Sequence, residues 1–120
     1  MIEKMNELEK MFELQKQFQE LIGNEIPYDK VWLNNPINIE LIKNQILALY
    51  DEVGEALREV PWKPWKRNQQ FNVSKFRMEL IDIFHFLINL CLLSGMNAED
   101  VFTLFQSKNQ INKMRQKNGY

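Results

Sequence analysis

Apolar residues at Met5, Leu8, Met11, Phe12, Leu14, Phe18, Leu21 and Ile22 recur every three or four positions, which predicts a helix over about 2–22. Gly23 is a natural stop for it. The stretch from Asn24 to Pro36 contains two prolines and two adjacent asparagines and reads as a connector with at most one short helical turn. Asn38 is placed to N-cap a second helix, with Glu40 in its first turn, and Pro61 stops that helix after Val60. A loop over 61–73 holds Pro61, Trp62, Pro64 and Trp65. Ser74 is the expected cap of a third helix running to Ser94, with Gly95 behind it. Asn97 followed by Asp100 has the form of a capping box, opening a fourth helix to about Lys117. No period-2 alternation competes, so the expected fold is all-α, a single four-helix bundle domain over 1–120.

The third helix is unusual. Its run LIDIFHFLINLCLL is apolar on nearly every face, whereas a surface helix carries one stripe. A bundle of 120 residues cannot enclose such a helix, so part of it should pack on a second copy, most simply as a two-fold homodimer. The expected mass in solution is at least twice the 14.5 kDa chain. The same region, Leu80 to Met96, is interrupted by Asp82, His85 and Asn89 and is too short and polar to span a bilayer. The charged N-terminal stretch has no signal-peptide core, so an intracellular, cytoplasmic protein without a membrane partner is expected. Cys91, the single cysteine, lies in an apolar run and reads as core filler, which excludes a disulfide framework. A net charge of −1 argues against a nucleic-acid polymer as partner.

Candidate chemistry lies in two acid pairs. Glu52 and Glu55 form E-x-x-E in the second helix, and Glu79 and Asp82 form E-x-x-D in the third. A spacing of three puts both members of a pair on one helix face. If the two helices pack, four carboxylates converge, and repulsion with desolvation then demands protonation or a cation. An all-oxygen donor set suits Mg²⁺. Cations complement it: Lys63, Lys66 and Arg67 on the loop, and Lys108, Lys113, Arg115 and Lys117 in a C-terminal segment without acids. On a helix Lys108, Asn112 and Arg115 share a face able to clamp phosphate oxygens. Trp62 and Trp65 can stack on a base or pack on the bundle, and His85 can serve a carboxylate, a sugar hydroxyl or the core.

The series E-V-G-E, W-K-P-W, E-L-I-D-I-F-H-F and K-N-Q-I-N-K-M-R-Q-K-N-G-Y resembles the dimeric, all-α dUTPases, relatives of the MazG-like NTP pyrophosphatases. The resemblance covers about residues 11–120, and its end motif is more specific than the acid pairs. It implies hydrolysis of a nucleoside triphosphate, dUTP foremost, to the monophosphate and pyrophosphate. It further implies Mg²⁺ ligation by Glu52, Glu55, Glu79 and Asp82, and phosphate contacts from Lys63, Lys108, Arg115 and Tyr120. Base or sugar contacts fall to Gln15, Gln19, Trp65, His85 and Asn112. Where the family usually has a short polar side chain four residues after the first-helix glutamine, this chain has the longer Gln19, which opens the alternative of dCTP or a modified dNTP. The expected chemistry is in-line attack by a water that Glu52 or Glu55 orients, with cations stabilising the leaving pyrophosphate. Two rivals differ in class. A di-iron carboxylate bundle needs Glu-x-x-His from two helices, and His85 is the one histidine here. A non-catalytic helical interaction protein would leave the acid pairs solvated and without Mg²⁺.

Overall fold

A computed structural model describes residues 2–24 and 36–119, so the expected connector over 24–36 and the terminal Tyr120 lie almost wholly outside the described residues. Among the described residues the chain forms four α-helices and no strand: α1 (Glu7–Leu21), α2 (Pro36–Arg58), α3 (Val73–Leu93) and α4 (Ala98–Lys117), after a single 3-10 turn at Ile2–Lys4. The expected all-α bundle is therefore the fold.

Helix ends follow local chemistry. The first predicted helix is split, because the Asn6 side chain accepts from the Glu9 backbone N–H and starts α1 there. At its end Gly23, at φ 83°, lets the Gly23 and Asn24 N–H groups fold back onto the Glu20 and Gln19 carbonyls. Gly95, at φ 81°, does the same after α3, with Gly95 and Met96 bonding to Leu92 and Cys91. Both halves of the Asn97–Asp100 capping box form, at 2.8 and 3.0 Å.

Two caps differ from expectation. Asn72, not Ser74, caps α3, since its side chain accepts from the Lys75 N–H. Asn38 is not a cap at all. It lies inside the first turn of α2, fully buried, and donates from Nδ2 to the Leu93 carbonyl at 3.3 Å.

That last bond fixes topology. The start of α2 meets the end of α3, and further along Asn89 donates to Gln45 at 3.0 Å, so the two helices run antiparallel. α1 packs on α3 through Phe12, which joins Ile88, Leu92 and Ala98 in the core. α4 touches this core by its first turn, through Ala98 and Val101. Among the described residues no single helix is long and apolar enough to cross a membrane.

Candidate active site

Antiparallel pairing brings the middle of α2 beside the first half of α3, so Glu52 and Glu55 converge with Glu79. One carboxylate oxygen from each of Glu52, Glu55 and Glu79 lies within 4.8 Å of the others, and all three side chains are half-buried. Oε2 of Glu52 and Oε2 of Glu79 are buried and have no hydrogen-bond partner. Buried acceptors left in that state are costly unless a cation or proton reaches them. Burial, then the neighbouring Glu55 charge, pushes the Glu52 carboxyl up to about 7. Burial, followed by Glu55 and Asp82, also raises Glu79. Glu55 is the shared neighbour, within hydrogen-bonding reach of both. Asp82 is not in the close trio but acts electrostatically on Glu52 and Glu79.

Asp82 instead lines an adjoining cavity of about 510 Å³ between α1, α2 and α3, whose polar walls come from Gln15, Gln19, Gln45, His85 and Asn89. Side-chain amides form a directed chain there. Gln15 Nε2 donates to Asn89 Oδ1 at 2.8 Å, and Asn89 Nδ2 donates to Gln45 Oε1 at 3.0 Å. His85 Nδ1 meets Gln15 Oε1. Gln19 is buried and accepts from Asn24 Nδ2 at 3.1 Å. Phe18, Ile22 and Phe86 complete the walls with apolar surface. Apolar flanks with a few fixed polar groups suit a planar, hydrogen-bonding ligand.

Of the residues singled out from sequence, the structure thus gathers Glu52, Glu55, Glu79, Asp82, Gln15, Gln19 and His85. Others lie apart. Lys63 and Trp65 sit on the loop after α2, which Gln69 fastens by accepting from the Lys63 N–H and donating to the Lys63 and Lys66 carbonyls. Trp65 is 71% exposed and packs edge-on against Trp62 at 5.6 Å, while the Lys63 ammonium lies 5.8 Å from the Trp62 ring centre. Lys108, Asn112 and Arg115 are exposed on α4 and are not among the residues that line the cavity. Gln45 and Asn89 were not among the residues assigned from sequence, although Asn89 stood out as a polar break in the apolar third helix.

The donor set fits a hard divalent cation: carboxylate oxygens only, two of them buried and unpartnered.

Comparison with known proteins agrees. A family model described as dUTPase matches residues 7–94, which contain all four acids and the cavity. The chain is 38% identical to a dCTP pyrophosphatase of Enterobacteria phage T4, over 56% of this chain and 46% of that protein. It is 34% identical to a dCTP pyrophosphatase of Enterobacteria phage LZ5, over 74% of this chain and 60% of that one. A DNA replication protein of Enterobacteria phage T4 is 35% identical over 48% of this chain and 18% of its own length. The chain thus spans about half the length of the dCTP pyrophosphatases it matches. No solved structure matches. With a four-helix architecture, paired acids on α2 and α3, and a family model covering both, the chain belongs to the all-α dUTPase family.

Proposed function

We propose that this chain, with Mg²⁺, hydrolyses a pyrimidine deoxynucleoside triphosphate between its α- and β-phosphates, releasing the monophosphate and pyrophosphate. The observation that carries the reading is one of adjacency. A trio of converging carboxylates, two with unpartnered buried oxygens, has Asp82 as its electrostatic neighbour, and Asp82 lines an amide-walled cavity of about 510 Å³, roomy enough for a base and its sugar. The ion would be held by Glu52, Glu55, Glu79 and Asp82, and it supplies positive charge against phosphates that these acids would otherwise repel.

The protein's residues do the rest. Gln15, Asn89 and His85 hold the base by its polar edge, and Phe18 and Phe86 flank it. The triphosphate then extends past Asp82 toward the trio. With a cation beside it Glu52 is ionised at neutral pH, so it can orient a water on the α-phosphorus and take its proton. Lys63 on the loop, and Lys108 and Arg115, meet the phosphate oxygens and stabilise pyrophosphate as it leaves, while Asn112 reaches the sugar. Trp65 covers the sugar side, and Tyr120 is assigned to the phosphates.

Relatives named dCTP pyrophosphatases favour cytosine, and the family model favours uracil as the second reading. Primary amides both donate and accept, so they can pair with either pyrimidine edge. Pyrophosphate release from dCTP, dUTP, dATP, dGTP and dTTP tests this. We expect dCTP to lead, dUTP to follow, and the purine nucleotides to lag by about 100-fold or more, because a base that leaves buried amides unpaired is rejected strongly. Equal turnover of purine and pyrimidine nucleotides would remove the base reading and leave the acid site standing.

A further inference from the structure

The amides behind the cavity form a relay that runs one way. Gln15 on α1 and Asn89 on α3 are both buried, and each spends one donor and one acceptor on its neighbours. Gln15 Nε2 donates to Asn89 Oδ1, and Asn89 Nδ2 donates to Gln45 Oε1 on α2. With its nitrogen turned to Asn89, Gln15 presents its oxygen to His85 Nδ1. An amide oxygen only accepts, so His85 carries its proton on Nδ1. The other ring nitrogen, Nε2, is then an acceptor. His85 is exposed and lines the cavity, so Nε2 is the nitrogen left to meet a ligand.

Nothing inside the relay prefers this direction. A primary amide has a donor end and an acceptor end of nearly the same shape. Turning Gln15, Asn89 and Gln45 over together keeps every bond and reverses each one. His85 Nδ1 then accepts from Gln15, and Nε2 carries the proton. Turning one amide alone sets donor against donor or acceptor against acceptor, which is costly where water cannot replace the lost bond. The relay therefore turns as a unit, and its ends decide the direction. One end is His85, at the ligand. The other is Gln45.

We propose that Gln45 is a positioning residue for the choice of base: through Asn89 and Gln15 it sets the tautomer of His85, and with it whether the 4-position of a pyrimidine meets an acceptor or a donor. The inference rests on the pyrimidine nucleotide reading above and deepens it. Cytosine carries an amine at that position and uracil a carbonyl, so the direction in the structure suits cytosine.

Two substitutions at one position lock the relay in opposite directions. Gln45→Glu, as a carboxylate, can only accept from Asn89 and keeps the direction of the structure. Gln45→Lys can only donate, so Asn89 must turn its oxygen to it, Gln15 follows, and the His85 proton moves to Nε2. His85 is the one histidine of the chain. ¹⁵N NMR of histidine-labelled protein at pH 8, without metal or nucleotide, therefore reads its tautomer directly. The Nδ1–H form is expected in wild type and in Gln45→Glu, and the Nε2–H form in Gln45→Lys. On the same proteins, with Mg²⁺, the ratio of kcat/KM for dCTP to that for dUTP should rise in Gln45→Glu and fall in Gln45→Lys. The two variants should differ by about 10-fold or more, because a site that sets donor against donor rejects its ligand strongly. Both nucleotides carry the same triphosphate, so changes in metal binding or in the folded fraction cancel from the ratio. An Nε2–H tautomer in wild type, or Nδ1–H retained in Gln45→Lys, would overturn the proposal, as would ratios that move together or not at all. Failure of wild type to turn over either nucleotide would instead overturn the pyrophosphohydrolase reading, and the tautomers would still decide whether Gln45 governs His85.

Discussion

Glu79→Gln is expected to abolish turnover while making the metal-free protein more stable. Loss of a partner that merely orients a metal ligand already costs roughly 10–100-fold in affinity. Removal of the proposed ligand oxygen, which is buried and without a hydrogen-bond partner, should therefore lower kcat/KM by more than about 100-fold. Stability moves the other way because Glu79 is held against burial and the charges of Glu55 and Asp82. The pH dependence has a definite sign. Glu52 is raised from 4.5 to about 7, so below pH 4.5 folded and unfolded states are both protonated and its contribution to stability is complete. Between 4.5 and 7 the folded protein holds a proton that the unfolded chain has released, and stability falls as pH rises through that window. Metal-free wild type should thus melt at progressively lower temperature from pH 4.5 to about 7, with this contribution levelling off above that. Mg²⁺ should reverse the trend, since it takes the ionised form and binds only the folded state. In Glu79→Gln one of the charges that raise Glu52 is gone, so the metal-free decline should be shallower. Melting curves across this range with and without Mg²⁺ read all of this, and a variant no more stable than wild type at pH 8 without metal would speak against electrostatic strain in the cleft.

The second large effect is expected at Asn89, which is 2% exposed. Asn89→Leu keeps the approximate shape but leaves Gln15 Nε2 without its acceptor and Gln45 Oε1 without its donor. Each buried group so orphaned costs about 1–3 kcal/mol, so a loss of about 2–4 kcal/mol is expected, the lower end reflecting the half-exposed Gln45. For a domain of this size that is a fall of roughly 10 °C or more in Tm. Gln15 also loses the contact that aims it, so KM for the nucleotide should rise more than kcat falls. A double-mutant cycle separates network from bulk packing. Gln45→Met should destabilise less in the Asn89→Leu background than in wild type, because its partner is already absent. Strict additivity would mean that the amide chain carries no energetic coupling.

How much of this was legible beforehand depends on the range of the interaction involved. The capping box at Asn97 and Asp100, and the glycines at 23 and 95, involve atoms a few residues apart, and they formed where the local pattern put them. Asn38 looked equally like a cap, but its fate is set by the Leu93 carbonyl 55 residues away, which no local rule sees. Asn72 and Ser74 are both competent caps two positions apart, and the register of Lys75 decides between them. In the site, i, i+3 spacing sufficed to align each acid pair, and the convergence followed once α2 and α3 packed antiparallel. The polar breaks in the apolar helix, Asp82, His85 and Asn89, were visible from the start and all three line the cavity. What was hidden was that Asn89 is the hub, because its partners lie 74 and 44 residues away in sequence. For α4, periodicity told which residues share a face and not what that face meets.

Wild-type chain incubated with dCTP, once with Mg²⁺ and once with EDTA, with the products resolved by ³¹P NMR, tests the carboxylate site most directly. The account predicts dCMP and pyrophosphate in equal amounts with Mg²⁺ and no turnover in EDTA. Release of orthophosphate with dCDP, or turnover undiminished by EDTA, would contradict it.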